Sequence, residues 1–453
     1  MELISFRTPG LGDQSYLLVH EGKGVLVDPQ RDIDRFLDAA DERAVDVRFV
    51  LETHLHNDYV SGGPEVARRT GAELVLPAGA APVYRHTPAF HLEEIKADDL
   101  TLRPIHTPGH TPEHTSYLVL IDGEPVAVFS GGSLLVASAG RPDLLGPERA
   151  RSLARLQYGS LHRLAGLPRA VGLYPTHGEG SFCTTTGAGR FTSTIGDEVD
   201  GNPLLGIGDP EGFADRLLAE PMPIPAFYQY MGPANIRGGE PMPAVGIAEI
   251  SAAELPAAAA AGPPAGADGD DGARARLVDI RPRTVQAAGL VPGSVGIELT
   301  DDFGSWAGWL LPYGAPIVLV AEAGQDVTEA VVQLARIGVD SVQAVYRPAG
   351  GDQLGPGYEL LDLDGFRQRL GQPDVQLLDV RMPNEWAQVG WPGAVQRFVA
   401  DLASEGIPDE LDRRRPVLVA CGSGRRAAIA ASLLVRAGYQ AVVLSGAGVA
   451  ELT

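Results

Sequence analysis

Apolar and polar positions alternate along this chain in short blocks that change period. "SYLLVHEGKGVLVDP", Ser15–Pro29, is two short apolar runs around a glycine-containing turn, which predicts a β-hairpin. Asp32–Asp46 carries apolar residues at helical spacing, and "VRFVLETH", Val47–His54, predicts a buried strand that ends at histidine. Strand and helix signals continue to about Gly206. "IGDPEGFADRLLAEPMPIP", Ile207–Pro225, then reads as a helix followed by a proline-rich exit. Residues 254–275, "ELPAAAAAGPPAGADGDDGARA", are low in complexity and cannot bury a face, so a flexible loop or linker is expected there.

The C-terminal part repeats itself. "LVDIRP" from Leu277 matches "LLDVRMP" from Leu377, aligning Asp279 with Asp379 and Arg281 with Arg381. "VPGSV" from Val291 matches "WPGAV" from Trp391, "PIVLVA" from Pro316 matches "PVLVAC" from Pro416, and Gly324 matches Gly424. The offset is constant and gapless, so two domains of one fold are expected in tandem. Each reads as short strands alternating with helices, which predicts an α/β domain on a parallel sheet.

A chain of 453 residues is too long for one ordinary core and predicts several domains. Apolar content of 44% with 21% charged residues fits a globular protein. The formal net charge of −22 argues against nucleic acid or an anionic membrane as partner. "MELISFRTPG" has no basic n-region or apolar h-region, so no signal peptide is expected. No apolar run approaches a membrane span. Two cysteines far apart, Cys183 and Cys421, give no disulfide scaffold and point to a cytoplasmic location.

Cys421 ends an apolar strand and opens "CGSGRRAAIAASLLVRAG", a glycine-containing loop that leads into a helix. Converging backbone N–H groups, a helix N-terminus and the Arg425–Arg426 pair all favour negative charge there. The chemistry this suits is attack of a thiolate on a sulfane sulfur. The loop Cys421–Arg426, with "LLDVRMPNEW" and "WPGAV" upstream, resembles the rhodanese family of sulfurtransferases over about Tyr358–Thr453. The resemblance implies that Cys421 carries the sulfur and that Arg426 shapes the loop and binds the anionic donor. Gly422, Ser423, Gly424 and Arg425 would line it, while Asp379 and Arg381 brace the fold. Trp391 stands where a histidine-plus-aliphatic pair is usual, a change expected to alter packing. The first repeat has Ala321 and Asp326 at the positions of Cys421 and Arg426, so it is expected to be inert.

Histidines cluster in three groups, each after an apolar run. These are His54 and His56 with Asp58 in "THLHNDY", then His106, His110 and His114 in "IHTPGHTPEHTSYL", then His177 in "YPTHGEGSF". Ligands from several strand ends can surround one metal ion. About Met1–Gly232 resembles the metallo-β-lactamase fold family, and within it the persulfide dioxygenases, through "ETHLHNDYVSGG", "HTPGHTPEH", "FSGGSLLVASAGRPDLLG" and "YPTHGEGSFC". The fold implied is an αββα sandwich. In two-metal hydrolases of this fold a histidine follows the motif aspartate and a carboxylate bridges the ions. Tyr59 and Gly132 occupy those positions here, which argues against a dinuclear hydrolase. Carried over, His54 and His110 match the two histidines of the dioxygenase's iron site, and the carboxylate falls on Gly132. The third ligand would be His56, Asp58, His177 or water. Tyr59 is expected to fill the second-metal space and Cys183 to pack.

The resulting expectation is a metallo-β-lactamase-like domain over 1–240, a degenerate rhodanese-like domain over 241–352 and a rhodanese domain over 353–453. The resemblances imply one Fe(II), with one Zn(II) as the alternative. They imply as partners a small persulfide or thiosulfate, a low-molecular-weight thiol and O₂. Oxidation of a persulfide would be joined to sulfur transfer through Cys421. The alternatives are a sulfurtransferase on a metal-poor scaffold and a mononuclear zinc thioester hydrolase. Self-association into a homo-oligomer is left open.

Overall fold

The computed structural model describes residues 1–178, 180–183, 189–219, 222–260 and 275–452. The chain divides into two compact units, residues 1–243 with 335–338, and 244–334 with 339–453.

The first unit follows from the alternation of its strands. Asp13–His20 and Lys23–Val27 form the expected hairpin, pairing antiparallel from Tyr16–Val27 to His20–Lys23. They belong to a six-stranded sheet in the order 2–8, 13–20, 23–27, 46–51, 73–77, 87–89. A second six-stranded sheet runs 193–194, 172–175, 124–131, 115–121, 100–106, 95–97. Side chains alternate across each sheet with period two. Tyr16, Leu18, Val25 and Val27 of one sheet therefore meet Tyr117, Val119, Ala127 and Phe129 of the other in a dry central layer. Their neighbours Leu17 and Leu26 face Phe36, Leu37 and Val66 of the outer helices Asp34–Asp41 and Gly63–Thr70. Leu118, Leu120 and Val128 face Leu161, Leu164, Phe213 and Leu217 of the helices Pro147–Ala165 and Pro210–Leu217. Two facing sheets with helices on both outer faces form the αββα sandwich that the resemblance implied.

The second unit holds two five-stranded sheets of identical order, 249–250, 342–346, 317–320, 276–279, 295–296 and 359–361, 441–444, 417–420, 376–379, 395–396. Every pairing in both is parallel. In each, a buried aspartate at the end of the fourth strand in this order, 276–279 or 376–379, grips an arginine two residues on. Asp279 takes Arg281 at 2.6 and 2.8 Å, and Asp379 takes Arg381 at 2.7 and 3.0 Å. The arginines then donate to the carbonyls of Gly289 and Val389. This fork ties each strand end to the turn after the following short helix. Trp391 is buried against Phe366, a packing role.

The segment read as a linker differs at its start, where Leu255–Ala260 is helical and its partly buried Leu255, Ala258 and Ala259 pack against the buried core of the first repeat. Four consecutive alanines favour the helix. Residues 261–274 lie outside those described. Among the described residues no helix is long and apolar enough to cross a membrane.

Arg381→Ala removes one partner of a buried ion pair and strands the Asp379 carboxylate. A loss of about 3–5 kcal/mol is expected in the stability of the second unit, read from its denaturant transition. A loss below about 1 kcal/mol would contradict the bracing role.

Candidate functional site

Three strand ends of the first unit converge at one edge of the sandwich. His54 follows the strand Asp46–Leu51, His110 the strand Leu100–His106 and His177 the strand Gly172–Pro175, and all three are fully buried. One ligand nitrogen from each lies within 4.8 Å of the others.

The hydrogen bonds fix which nitrogen carries the proton. His110 Nδ1 lies 2.8 Å from the Arg141 carbonyl, which only accepts, so Nδ1 donates. His177 Nδ1 donates to Asp13 Oδ1 at 2.8 Å. His54 Nδ1 lies 2.9 Å from Thr53 Oγ1, whose proton goes to Asp28 Oδ2, so Nδ1 donates here too. Every Nε2 is thereby left as a bare lone pair facing the same space. His54 Nε2 and His177 Nε2 stand 3.4 Å apart, and His110 Nε2 has no partner. Two facing acceptors repel unless a cation lies between them. Their spacing suits two imidazoles each about 2.0–2.1 Å from one ion. Burial, reinforced by the neighbouring rings, holds His54 and His110 well below the usual histidine range, and burial lowers His177 as well. Neutral imidazoles with an outer acceptor on Nδ1 are metal ligands in form.

His56 and Asp58 do not join this cluster. His56 Nε2 turns into an acidic pocket, 3.2 Å from Asp28 Oδ1 and 3.3 Å from Glu52 Oε2, with Tyr59 Oη at 3.0 Å. Burial opposes charge on that ring, but the two carboxylates outweigh it and push His56 well above the usual range. Asp58 faces His177 Nδ1 at 3.4 Å and Cys183 Sγ at 3.5 Å. Burial pushes Asp58 and Asp13 each up to about 7. Tyr59 stacks on the His56 ring, with its hydroxyl donating to the Asp28 carbonyl. Cys183 is buried beside Tyr228, and burial, then Asp58, raises its thiol well above the usual range.

Gly132 has no room for the carboxylate that the resemblance places there. A Cβ on it would lie 2.3 Å from His110 Cδ2. The space beside it holds His114, whose Nε2 accepts from the Gly132 amide at 2.9 Å while Nδ1 donates to Thr107 Oγ1. His114 thus has no lone pair left for the cluster in this conformation.

Several of these positioning residues give no signal in the sequence. Asn235, on the helix Tyr228–Arg237, donates to the His56 and Tyr59 carbonyls and accepts from the Ser61 amide, locking the histidine loop. Asp13 and Asp28 act on ligands far along the chain. Only Asp28 carried a hint, as a polar residue ending a buried strand.

In the second unit, Cys421 is buried at the end of the strand Val417–Ala420, below the helix Arg425–Arg436. Its Sγ accepts from the Gly424 amide at 3.1 Å. Gly424 has φ +86°, a left-handed conformation that turns this amide inward and that glycine adopts without strain. Gly422 and Ser423 are exposed beside the sulfur. Arg426 forks onto Glu385, with one bond of 2.8 Å, and Glu385 also accepts from the Met382 amide. Burial opposes ionisation of Glu385, but Arg426 outweighs it and holds the carboxyl below the usual range. Arg425 reaches Asp302 of the first repeat at 3.4 Å. Ala321, buried at the matching place in the first repeat, offers no thiol.

Comparison with known proteins agrees with this fold. The pattern of the metallo-beta-lactamase superfamily matches residues 9–177, and that of the rhodanese-like domain matches 362–451. The chain is a metallo-β-lactamase-fold domain followed by a rhodanese-like domain. A Burkholderia pseudomallei protein named "probable metallo-hydrolase" is 29% identical over 251 residues, 47% of this chain and 83% of that protein. The cytoplasmic hydroxyacylglutathione hydrolase of Arabidopsis thaliana is 31% identical over 179 residues, 38% of this chain and 66% of that protein. The crystal structure of a metallo-beta-lactamase from Staphylococcus aureus matches with 26% identity and a TM-score of 0.66, covering 77% of this chain and 99% of that one. The metallo-β-lactamase-fold domain therefore carries a histidine-rich site suited to a divalent metal.

His110→Ala is expected to cut bound metal by at least tenfold in elemental analysis of purified protein. Gly132→Asp is expected to displace His110 and lower bound metal too, rather than to add a ligand. A Gly132→Asp protein that binds metal more tightly than the parent would contradict this account of the site.

Proposed function

We propose that this chain oxidises a low-molecular-weight persulfide in its metallo-β-lactamase-fold domain and moves sulfane sulfur through Cys421 in its rhodanese-like domain. In this reading the domains span 1–240, 241–352 and 353–453, and the middle one is a rhodanese-like fold without a nucleophile. The observation that carries the reading is the set of three bare Nε2 lone pairs, together with Tyr59 and Gly132 where a second ion would need ligands. His54, His110 and His177 would hold one ion, Fe(II) by preference. When bound, that ion supplies Lewis-acid and one-electron chemistry at positions left open beside three imidazoles.

The overall reaction balances as persulfide plus O₂ plus water giving thiol, sulfite and two protons. The chain's own residues prepare the pocket. Asp13, Thr53 and the Arg141 carbonyl hold the Nδ1 protons, so the rings cannot turn. Tyr59 fills the neighbouring space and, with Asp28 and Glu52, keeps His56 turned away.

In the other domain the Cys421 thiolate attacks the outer sulfur of thiosulfate. The S–S bond breaks, sulfite leaves with the bonding pair, and a Cys421 persulfide remains for a thiol acceptor. The Gly424 amide steadies the sulfur, and the Arg426–Glu385 pair keeps the loop in shape. Sulfite and persulfide occur in both half-schemes, which gives the two domains a shared chemistry.

A second reading is a mononuclear zinc thioester hydrolase, favoured by the likeness to hydroxyacylglutathione hydrolase. Oxygen separates the two. Iron-loaded protein is expected to consume O₂ with at least one member of a persulfide panel. Cys421→Ala is expected to abolish thiosulfate:cyanide transfer while sparing that uptake. Absence of uptake across the panel, with oxygen-independent thioester turnover by zinc-loaded protein, would replace the first reading with the second.

A further inference from the structure

A cavity of about 490 Å³ is lined by the residues that follow two of the three histidines, Leu55 after His54 and Thr111 after His110. Its wall includes Leu55, Asn57 and Thr111, the chain neighbours of His54, His56 and His110, and also Tyr228, which touches Cys183. The remaining wall is largely aliphatic, built by Leu144, Leu145, Pro225 and Ile236, with Ile224 left 40% exposed. Among the described residues the lining contains no lysine or arginine, and its one charged side chain is Glu113. Glu113 is not a loose surface group. Its Oε1 accepts from the Leu55 amide at 3.0 Å, which fixes the carboxylate against the wall beside His54.

This lining restricts what can accompany the reacting sulfur. A carboxylate entering it would lose water, meet no lysine or arginine among the described lining residues and face the fixed negative charge of Glu113. An apolar body would fit the aliphatic wall, and an ammonium would find Glu113. Glutathione carries two carboxylates, so it is poorly matched, although it is a common low-molecular-weight thiol.

We propose that this cavity holds the carrier part of the sulfur substrate and selects carriers that are apolar and neutral or cationic over carriers bearing carboxylates. The proposal rests on the reading of this site as one for low-molecular-weight sulfur compounds. It concerns the carrier only, so it applies equally to a persulfide and to the thiol half of a thioester.

Glutathione and its diethyl ester share a peptide body, the ester replacing two carboxylates by neutral ethyl esters, and variants of Glu113 separate the loss of charge from the added ethyl groups. Their equilibrium binding to the full-length protein, loaded with redox-inert zinc, needs neither oxygen nor turnover. A failure of the dioxygenase reading therefore leaves this measurement intact. The ester is expected to bind at least tenfold more tightly than glutathione. Glu113→Lys is expected to reverse the order, and Glu113→Gln, which keeps an acceptor for the Leu55 amide, to shrink the preference. Unchanged thermal unfolding would show that these variants keep the fold, and the Glu113→Gln result alone decides the matter if Glu113→Lys unfolds. Equal or tighter binding of glutathione by the parent protein would overturn the proposal. So would failure of both compounds to bind, or a preference that ignores residue 113.

Discussion

The candidate metal site rests on three hydrogen bonds that are not made to any ion. The Nδ1 protons of His54, His110 and His177 are held by a threonine hydroxyl, a backbone carbonyl and a buried carboxyl. Each acceptor fixes one tautomer and one ring orientation. Remove them, and the three Nε2 lone pairs would have no reason to face one another in a buried place. The acceptors come from well-separated parts of the chain, so the whole αββα sandwich is needed to assemble a site a few ångströms wide.

The same logic explains what the site leaves out. His56 lies two residues from His54, yet the two rings serve opposite ends. His54 is kept neutral and turned inward, while Asp28 and Glu52 keep His56 charged and turned away. Tyr59 seals that arrangement by stacking on His56. At the other side, Gly132 and His114 form a matched pair, the glycine amide donating to the ring where a side chain on residue 132 would strike His110. The absence of the carboxylate is thus built into the packing around it.

Much of this was legible in the sequence, and the boundary of legibility has a physical cause. The hairpin at Ser15–Pro29, the gapless repeat and the Cys421 loop are local patterns, and local geometry governs them. That His54 and His110 lie near one another followed from their place at strand ends. The choice among His56, Asp58 and His177 did not, because it depends on Asp13, Asp28 and Glu52 through contacts that no spacing encodes. Asn235, which locks the histidine loop from about 175 positions away, was invisible for the same reason. The helix Leu255–Ala260 was hidden inside a segment whose composition suggested a linker, although its alanines favour helix and its partly buried face packs against the core of the first repeat.

The central claim is that one ion sits on three imidazoles, without a carboxylate or thiolate from this chain. X-ray absorption at the metal edge, combined with a count of metal per chain, tests it directly. One ion per chain, with about three nitrogen scatterers near 2.0–2.1 Å attributable to imidazole and no sulfur near 2.3 Å, is the expected result. Two ions per chain, or a sulfur shell that would bring Cys183 into the site, would contradict it.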